Sequence, residues 1–146
     1  MDKEIKLVQD WDKTFPNSEK VNHKKVTFKT QYGFTIAADL YIPKNAEGKL
    51  PAIAVSGPFG AAKEQCSGLY AQTMAERGFI TIAFDPSYTG ESSGEPRRTA
   101  SPDINTEDFL AAVDYLSMRD DVYTNLKVYH FLIKKCTTPN RLRRYA

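Results

Sequence analysis

The chain has 146 residues, 41% of them hydrophobic, and a formal net charge of +2. That length and apolar content support one domain with its own core and fall short of a large α/β enzyme. So small a net charge singles out no class of partner, and no apolar run approaches the roughly 18 residues that would span a bilayer.

The first 23 residues are mixed and polar, with Trp11 and Phe15 as isolated apolar anchors. They read as an extension packed loosely on the edge of the domain. Their start, MDKEIKLVQDW, is charged and has no apolar leader core. With only Cys66 and Cys136 and no CxxC, the reduced cytosol is the expected compartment. Residues 24–30, KKVTFKT, alternate through Val26 and Phe28 as a half-buried strand does. Gln31-Tyr32-Gly33 supplies a turn. Residues 34–42, FTIAADLYI, return as a second strand offering Ile36, Leu40 and Ile42 to one side. The pair is expected to form an antiparallel hairpin.

Residues 52–55, AIAV, form a short apolar run closed by Ser56-Gly57-Pro58, the pattern of a strand buried on both faces. A helix-length segment follows at 64–77 and stops at Gly78, where a left-handed C-cap would fall. Leu69, Met74 and Ala75 lie on overlapping faces of it, with Ala71 and Ala62 nearby. Residues 79–84 give a second apolar run ending at Asp85-Pro86. Strand, helix, strand in this order predicts a parallel βαβ unit. Both strand-to-helix loops then leave the carboxyl edge of the sheet, where open α/β folds place their chemistry. Residues 85–105, rich in Gly, Ser and Pro, read as a long irregular loop. Thr106 is the expected N-cap of a final helix, with Glu107 and Asp108 in its first turn opposing the helix dipole. Phe109, Val113 and Leu116 recur at helical spacing to Arg119. Beyond Asp121 there is no acid, but six basic residues: Lys127, Lys134, Lys135, Arg141, Arg143 and Arg144.

Three stretches carry a resemblance. ADLYIPKNAEGKLPAIAVSGPFG, then AERGFITIAFDPSYTGESSGEPR, then a helix ending DYLSMRDDV resemble the α/β-hydrolase superfamily, nearest its dienelactone-hydrolase-like and X-Pro-peptidase-like branch. The likeness covers residues 26–125. It implies that the loop after the first parallel strand supplies an oxyanion-hole N–H, from Phe59 or Gly60, since Pro58 has none. It also implies that the next strand ends in an Asp and a Gly-x-Ser-x-Gly-like turn, matched by Asp85, Gly90, Ser92 and Gly94. A further strand should then deliver the nucleophile on a Gly-flanked elbow.

At that point the chain departs from the pattern. All eight glycines, at 33, 48, 57, 60, 68, 78, 90 and 94, precede residue 95. The elbow needs small residues beside its nucleophile. Where it should follow a strand near 126–129, the sequence reads HFLIKKCTTPNRLRRYA, and the later acid and histidine have no room.

Each candidate has a plainer reading. Ser56–Gly60 also fits a tight strand-to-helix turn, and Gly57-x-x-Gly60 is no dinucleotide fingerprint. Asp85, Ser87, Ser92 and Ser93 fit a loop organised by side-chain-to-backbone bonds, because no base stands near them in sequence. Cys66, near a helix start, and Cys136, beside Lys134 and Lys135, fit ordinary thiols better than reactive ones. Two cysteines and two histidines so scattered form no metal-ligand pattern, and no cofactor is expected. The basic tail reads as a solvated polycation with no specific nucleic-acid or membrane partner.

The expected architecture is therefore α/β. A partial α/β-hydrolase sheet, hairpin then βαβ unit, occupies 24–125 and is cut short before the elbow. An extension lies at 1–23 and an atypical basic tail at 126–146. The expected function is that of a shortened hydrolase, its family cleaving ester, lactone or peptide-like acyl bonds, itself lacking nucleophile, acid and base. Its catalytic residues are none, its oxyanion-hole candidates Phe59 and Gly60. The rivals are a hydrolase using Ser92 or Cys136, and a binding module working through the sheet edge or tail. An open edge near 127–129 or 52–55 predicts self-association.

Overall fold

The computed structural model describes residues 5–123 and the strand Tyr129–Leu132. Five strands form one mixed sheet in the order β1-β2-β4-β3-β5: β1 Val21–Lys29, β2 Thr35–Pro43, β3 Ala52–Ser56, β4 Ile80–Phe84 and β5 Tyr129–Leu132. β1 and β2 are the expected antiparallel hairpin, with Val26 opposite Ala38. β2 runs antiparallel to β4, while β3 runs parallel to both β4 and β5. Ala52–Val55 is thus an interior strand and not the open edge that the sequence allowed.

Strand alternation distributes the apolar residues to two cores. Ile36, Ala38 and Leu40 of β2 join Ala52, Ala54, Ile80, Ile82 and Phe84 on one face. Tyr41, Ile53, Val55 and Ala83 point to the other. One helix covers each face. α1, Cys66–Glu76, lays Ala71 and Ala75 on the second face. Their small side chains let the Thr81 hydroxyl of β4 reach the Ala71 carbonyl at 2.7 Å. The helix ends as expected, with Gly78 at φ +99°, a conformation that costs glycine little.

α2 spans Pro102–Ser117 and packs Phe109, Ala112 and Leu116 against the first face. It begins four residues before the predicted cap. Pro102 takes the first helical position, where its missing N–H is harmless. Ser101 stands at the cap, and its carbonyl receives the Asn105 N–H at 2.8 Å. Thr106 is inside the helix, its hydroxyl bonded back to the Pro102 carbonyl. The preceding loop is irregular as expected, but ends at 101.

The amino-terminal segment is more firmly held than its composition indicates. Phe15 is buried in the α1-side core, Thr14 donates to the Glu64 carbonyl, and Gln72 of α1 bonds both Ser18 and Pro16. The side chain of Gln9 caps the N–H and C=O of Lys25 on the outer edge of β1. Residues 124–128 and 133–146, with Cys136 and all six basic residues of the tail, lie outside the described residues.

Candidate functional site

Parallel pairing sets the ends of β3 and β4 side by side, Val55 opposite Ala83, so the loops that follow them share the carboxyl edge. The first loop turns at once. The Ala61 N–H closes it on the Pro58 carbonyl at 2.9 Å, and Gly60 takes φ +83°. Phe59 and Gly60 form the exposed tip, Phe59 with 70% of its surface open. Among the described residues, neither of their N–H groups donates to a protein acceptor. Two free backbone donors side by side are what an oxyanion needs.

The second loop starts from Asp85, which is fully buried. Its carboxylate is met only by donors: the Lys63 N–H at 2.8 Å, the Lys63 ammonium at 3.0 Å and the Glu91 N–H at 3.0 Å. A Cβ on Gly90, whose φ is +51°, would stand 2.2 Å from an Asp85 oxygen, so only glycine lets the loop close over this carboxylate. Asp85 and Gly90 thereby shape the loop.

Gly90-Glu91-Ser92-Ser93-Gly94 carries the letters of the nucleophile motif, Gly-x-Ser-x-Gly. The structure shows that it is no elbow, because no helix opens directly from it: residues 95–101 stay irregular and α2 starts only at Pro102. Ser92 is 2% exposed. Its Oγ accepts the Ala37 N–H at 2.8 Å and donates to the Asp85 carbonyl at 2.7 Å. Ser93 does likewise for β2, accepting the Thr35 N–H at 2.8 Å. Gly94, at φ +122°, leaves room for the ring of Tyr88. Arg97 then ties the turn together through the Gly90, Ser92 and Gly94 carbonyls. Ser87 is equally committed, its N–H and hydroxyl both donating to Asp108 at 2.8 and 2.6 Å.

Nor does His23, the histidine whose side chain is described, approach these serines. His23 sits on β1 opposite Tyr41, bonded to Asp39 at 2.7 Å and packed edge-on by Trp11. Cys66 opens α1, is half-buried and is disulfide-bonded, not the free thiol that the sequence suggests.

Sequence reasoning passed over the residue that links the two loops. Lys63 is fully buried, and its ammonium meets Asp85, Glu64 and Glu91, the last at 2.6 Å. Burial works against that charge, but the Asp85 carboxylate and the hydrogen bonds to Glu64, Glu91 and Asp85 outweigh it and hold the ammonium well above the usual lysine range. Burial likewise pushes the Asp85 carboxyl up, and the Lys63 charge opposes it. The network continues from Glu91 to Lys25, from Lys25 to Asp12, and through Lys13 to Asp39. The carboxylates of Asp12, Glu64 and Glu91 converge closely enough to hold a cation. Lys25 and Lys63 already supply that charge. Little in the local sequence marks Lys63, since only Glu64 among its acid partners is a neighbour and the other two lie 22 and 28 residues away.

A mixed sheet with one helix on each face, a tight exposed turn after β3 and an acid-anchored loop after β4 are the layout of the amino-terminal part of an α/β-hydrolase. Residues 33–128 match the family model described as X-Pro dipeptidyl-peptidase (S15 family), and the chain belongs to that family. It is 69% identical over 120 residues to the uncharacterized protein PA2218 of Pseudomonas aeruginosa, covering 82% of this chain and 32% of that one. The crystal structure of PA2218 superposes with a TM-score of 0.82, over 87% of this chain and 40% of the other, at 65% identity. YcjY of Escherichia coli is 46% identical over 99 residues, 65% of this chain and 32% of its own length. Thiohydrolase aneE of Aspergillus aculeatus is 29% identical over 106 residues, 73% of this chain and 32% of its own. The structure of DcsB in complex with its substrate analogue matches at 29% identity and a TM-score of 0.66, over 73% of this chain and 36% of that one. The chain thus spans about a third of the length of the curated relatives it matches.

Proposed function

We propose that this chain carries the oxyanion-loop part of an acyl-hydrolase site and that by itself it does not turn over acyl substrates. The observation that carries the reading is Ser92. The one serine set in a Gly-x-Ser-x-Gly sequence is buried, with its hydroxyl bonded on both sides. An attacking serine needs an accessible oxygen and a base, and His23 is held by Asp39 instead. The free N–H groups of Phe59 and Gly60 support the oxyanion role. In an intact site one such donor is typically worth about 3–4 kcal/mol in the transition state.

The family, and a relative named as a thiohydrolase, support an ester, thioester or peptide-like acyl bond as the substrate class of the longer relatives. The dienelactone-hydrolase-like kinship and a cytoplasmic setting belong to the same proposal. Among the described residues no helix is long and apolar enough to cross a membrane.

The test is direct. Purified chain is incubated with p-nitrophenyl acetate, with a short acyl thioester and with a fluorophosphonate probe, beside a heat-treated sample. Hydrolysis no faster than the heated control, and no stoichiometric labelling, is the expected result. Labelling of Ser92 that disappears on unfolding, or fold-dependent turnover, would overturn the proposal.

A further inference from the structure

We propose that Lys63 is a positioning residue: its buried ammonium pins the foot of the loop after β3 to Asp85 and Glu91, and so fixes where the Phe59 and Gly60 N–H groups point. This rests on the oxyanion reading of that loop.

The loop has two fixed ends and one light restraint between them. At its start, Ser56 is buried in β3 and its hydroxyl reaches the Phe84 carbonyl at 3.4 Å. At its tip, among the described residues, only the Ala61-to-Pro58 turn bond holds the backbone. At its foot stands Lys63, three residues past Gly60, bonded to Asp85 through both its backbone N–H and its ammonium. The foot is also pressed against α1. A Cβ on Gly68 would lie 2.3 Å from the Lys63 carbonyl oxygen.

Asp85 and Glu91 belong to the other loop of the carboxyl edge, and the Glu91 N–H completes the Asp85 carboxylate. One ammonium therefore sets the two loops relative to each other. A buried ammonium is costly and is tolerated only when fully paired. Here all three of its partners are acids, from three points of the chain. Backbone donors serve an oxyanion only when their direction is fixed before charge develops. Directional order at Phe59 and Gly60 is thus the property that Lys63 supplies.

Backbone amide relaxation of the whole chain tests this. In the native protein, Phe59 and Gly60 should show order parameters near those of rigid backbone, about 0.85, and in Lys63→Met they should fall below about 0.6. Ile53 and Val55 of β3 should stay rigid in both. Leu116→Ala, which opens the core on the opposite face, is the control for a general loss of stability and should leave Phe59 and Gly60 ordered. Glu91→Gln removes the charge of one partner at the rim and should give a smaller fall at the same two amides. Unchanged order in Lys63→Met, or an equal fall in Leu116→Ala, would overturn the inference. Should Lys63→Met not fold, unchanged order in Glu91→Gln overturns it. Ester turnover plays no part in this measurement. An active chain would sink the functional proposal and leave the role of Lys63 to be decided by the amides.

Discussion

Asp12 shows how strongly a surface acid can be tied to buried lysines in this protein. Burial alone would raise its carboxyl, but hydrogen bonds from Lys13 and Lys25 prevail and bring it from the usual 3.8 down to about 2. A carboxyl with a folded value below its unfolded one stabilises fully above the unfolded value. That contribution is lost as pH falls through the folded value. Asp12→Asn should therefore lower the urea midpoint at any pH well above 3.8, and the gap from the native chain should close as pH falls from there toward 2. The side chain is 41% exposed, so solvent screening keeps the effect small. A gap that persists at the acid end would show that the charge is not what Asp12 contributes.

At the scale of elements, the loop between β4 and α2 is irregular yet heavily bonded. Its link to α2 is Asp108, fully buried and accepting the N–H and hydroxyl of Ser87. Burial raises this carboxyl, and the Ser87 bonds pull against the rise. Asp108→Ala leaves the Ser87 donors without a partner. Each unmet buried group costs about 1–3 kcal/mol, so the two together should lower the urea midpoint by the equivalent of about 2–6 kcal/mol. Proteolytic nicking should appear between residues 86 and 101 before the sheet melts. Equal protection of that loop in the variant and the native chain would contradict this. The sequence showed this loop and its irregularity through its Gly, Ser and Pro content. It did not show the loop's bonds, because Ser87 and Asp108 are 21 residues apart and meet only when α2 docks. The start of α2 was misread for a related reason: Thr106-Glu107-Asp108 resembles a capped start, but Pro102 and Ser101 begin the helix earlier.

For the whole molecule, the two outer strands of the sheet bear on behaviour in solution. The β1 edge is partly capped by Gln9. β5, by contrast, pairs only with β3 among the described residues. Leu110, Met118 and Tyr32 add exposed apolar surface, with Leu110 and Met118 lining a hollow of about 500 Å³ with Phe28 and Tyr115 between β1 and α2. Unpaired edges and apolar patches drive association. The basic residues beyond Asp121 oppose it only within the roughly 8 Å over which charge acts at physiological salt. We propose that association wins. Sedimentation equilibrium at physiological salt should show mass rising with concentration, and a single monomeric species at every concentration would refute it.

By itself, the sequence determined the elements and their order. Alternation in 34–42, uninterrupted apolar runs at 52–55 and 79–84, and Gly78 at a helix end are local properties, and local sterics and burial suffice to read them. It also determined that no glycine-flanked elbow follows β5, since composition alone excludes one after residue 95. Only the tertiary structure decided what the candidate residues do. Ser92 and Asp85 looked alike as possible chemistry. They became scaffold because β2 and Lys63, remote in sequence, take up their hydrogen bonds. Phe59 and Gly60 remained available because the turn that exposes them spends the Ala61 N–H and leaves theirs free. Lys63 had little local signature: a buried charge is specified by the partners that fold around it, and those partners meet only in the assembled sheet.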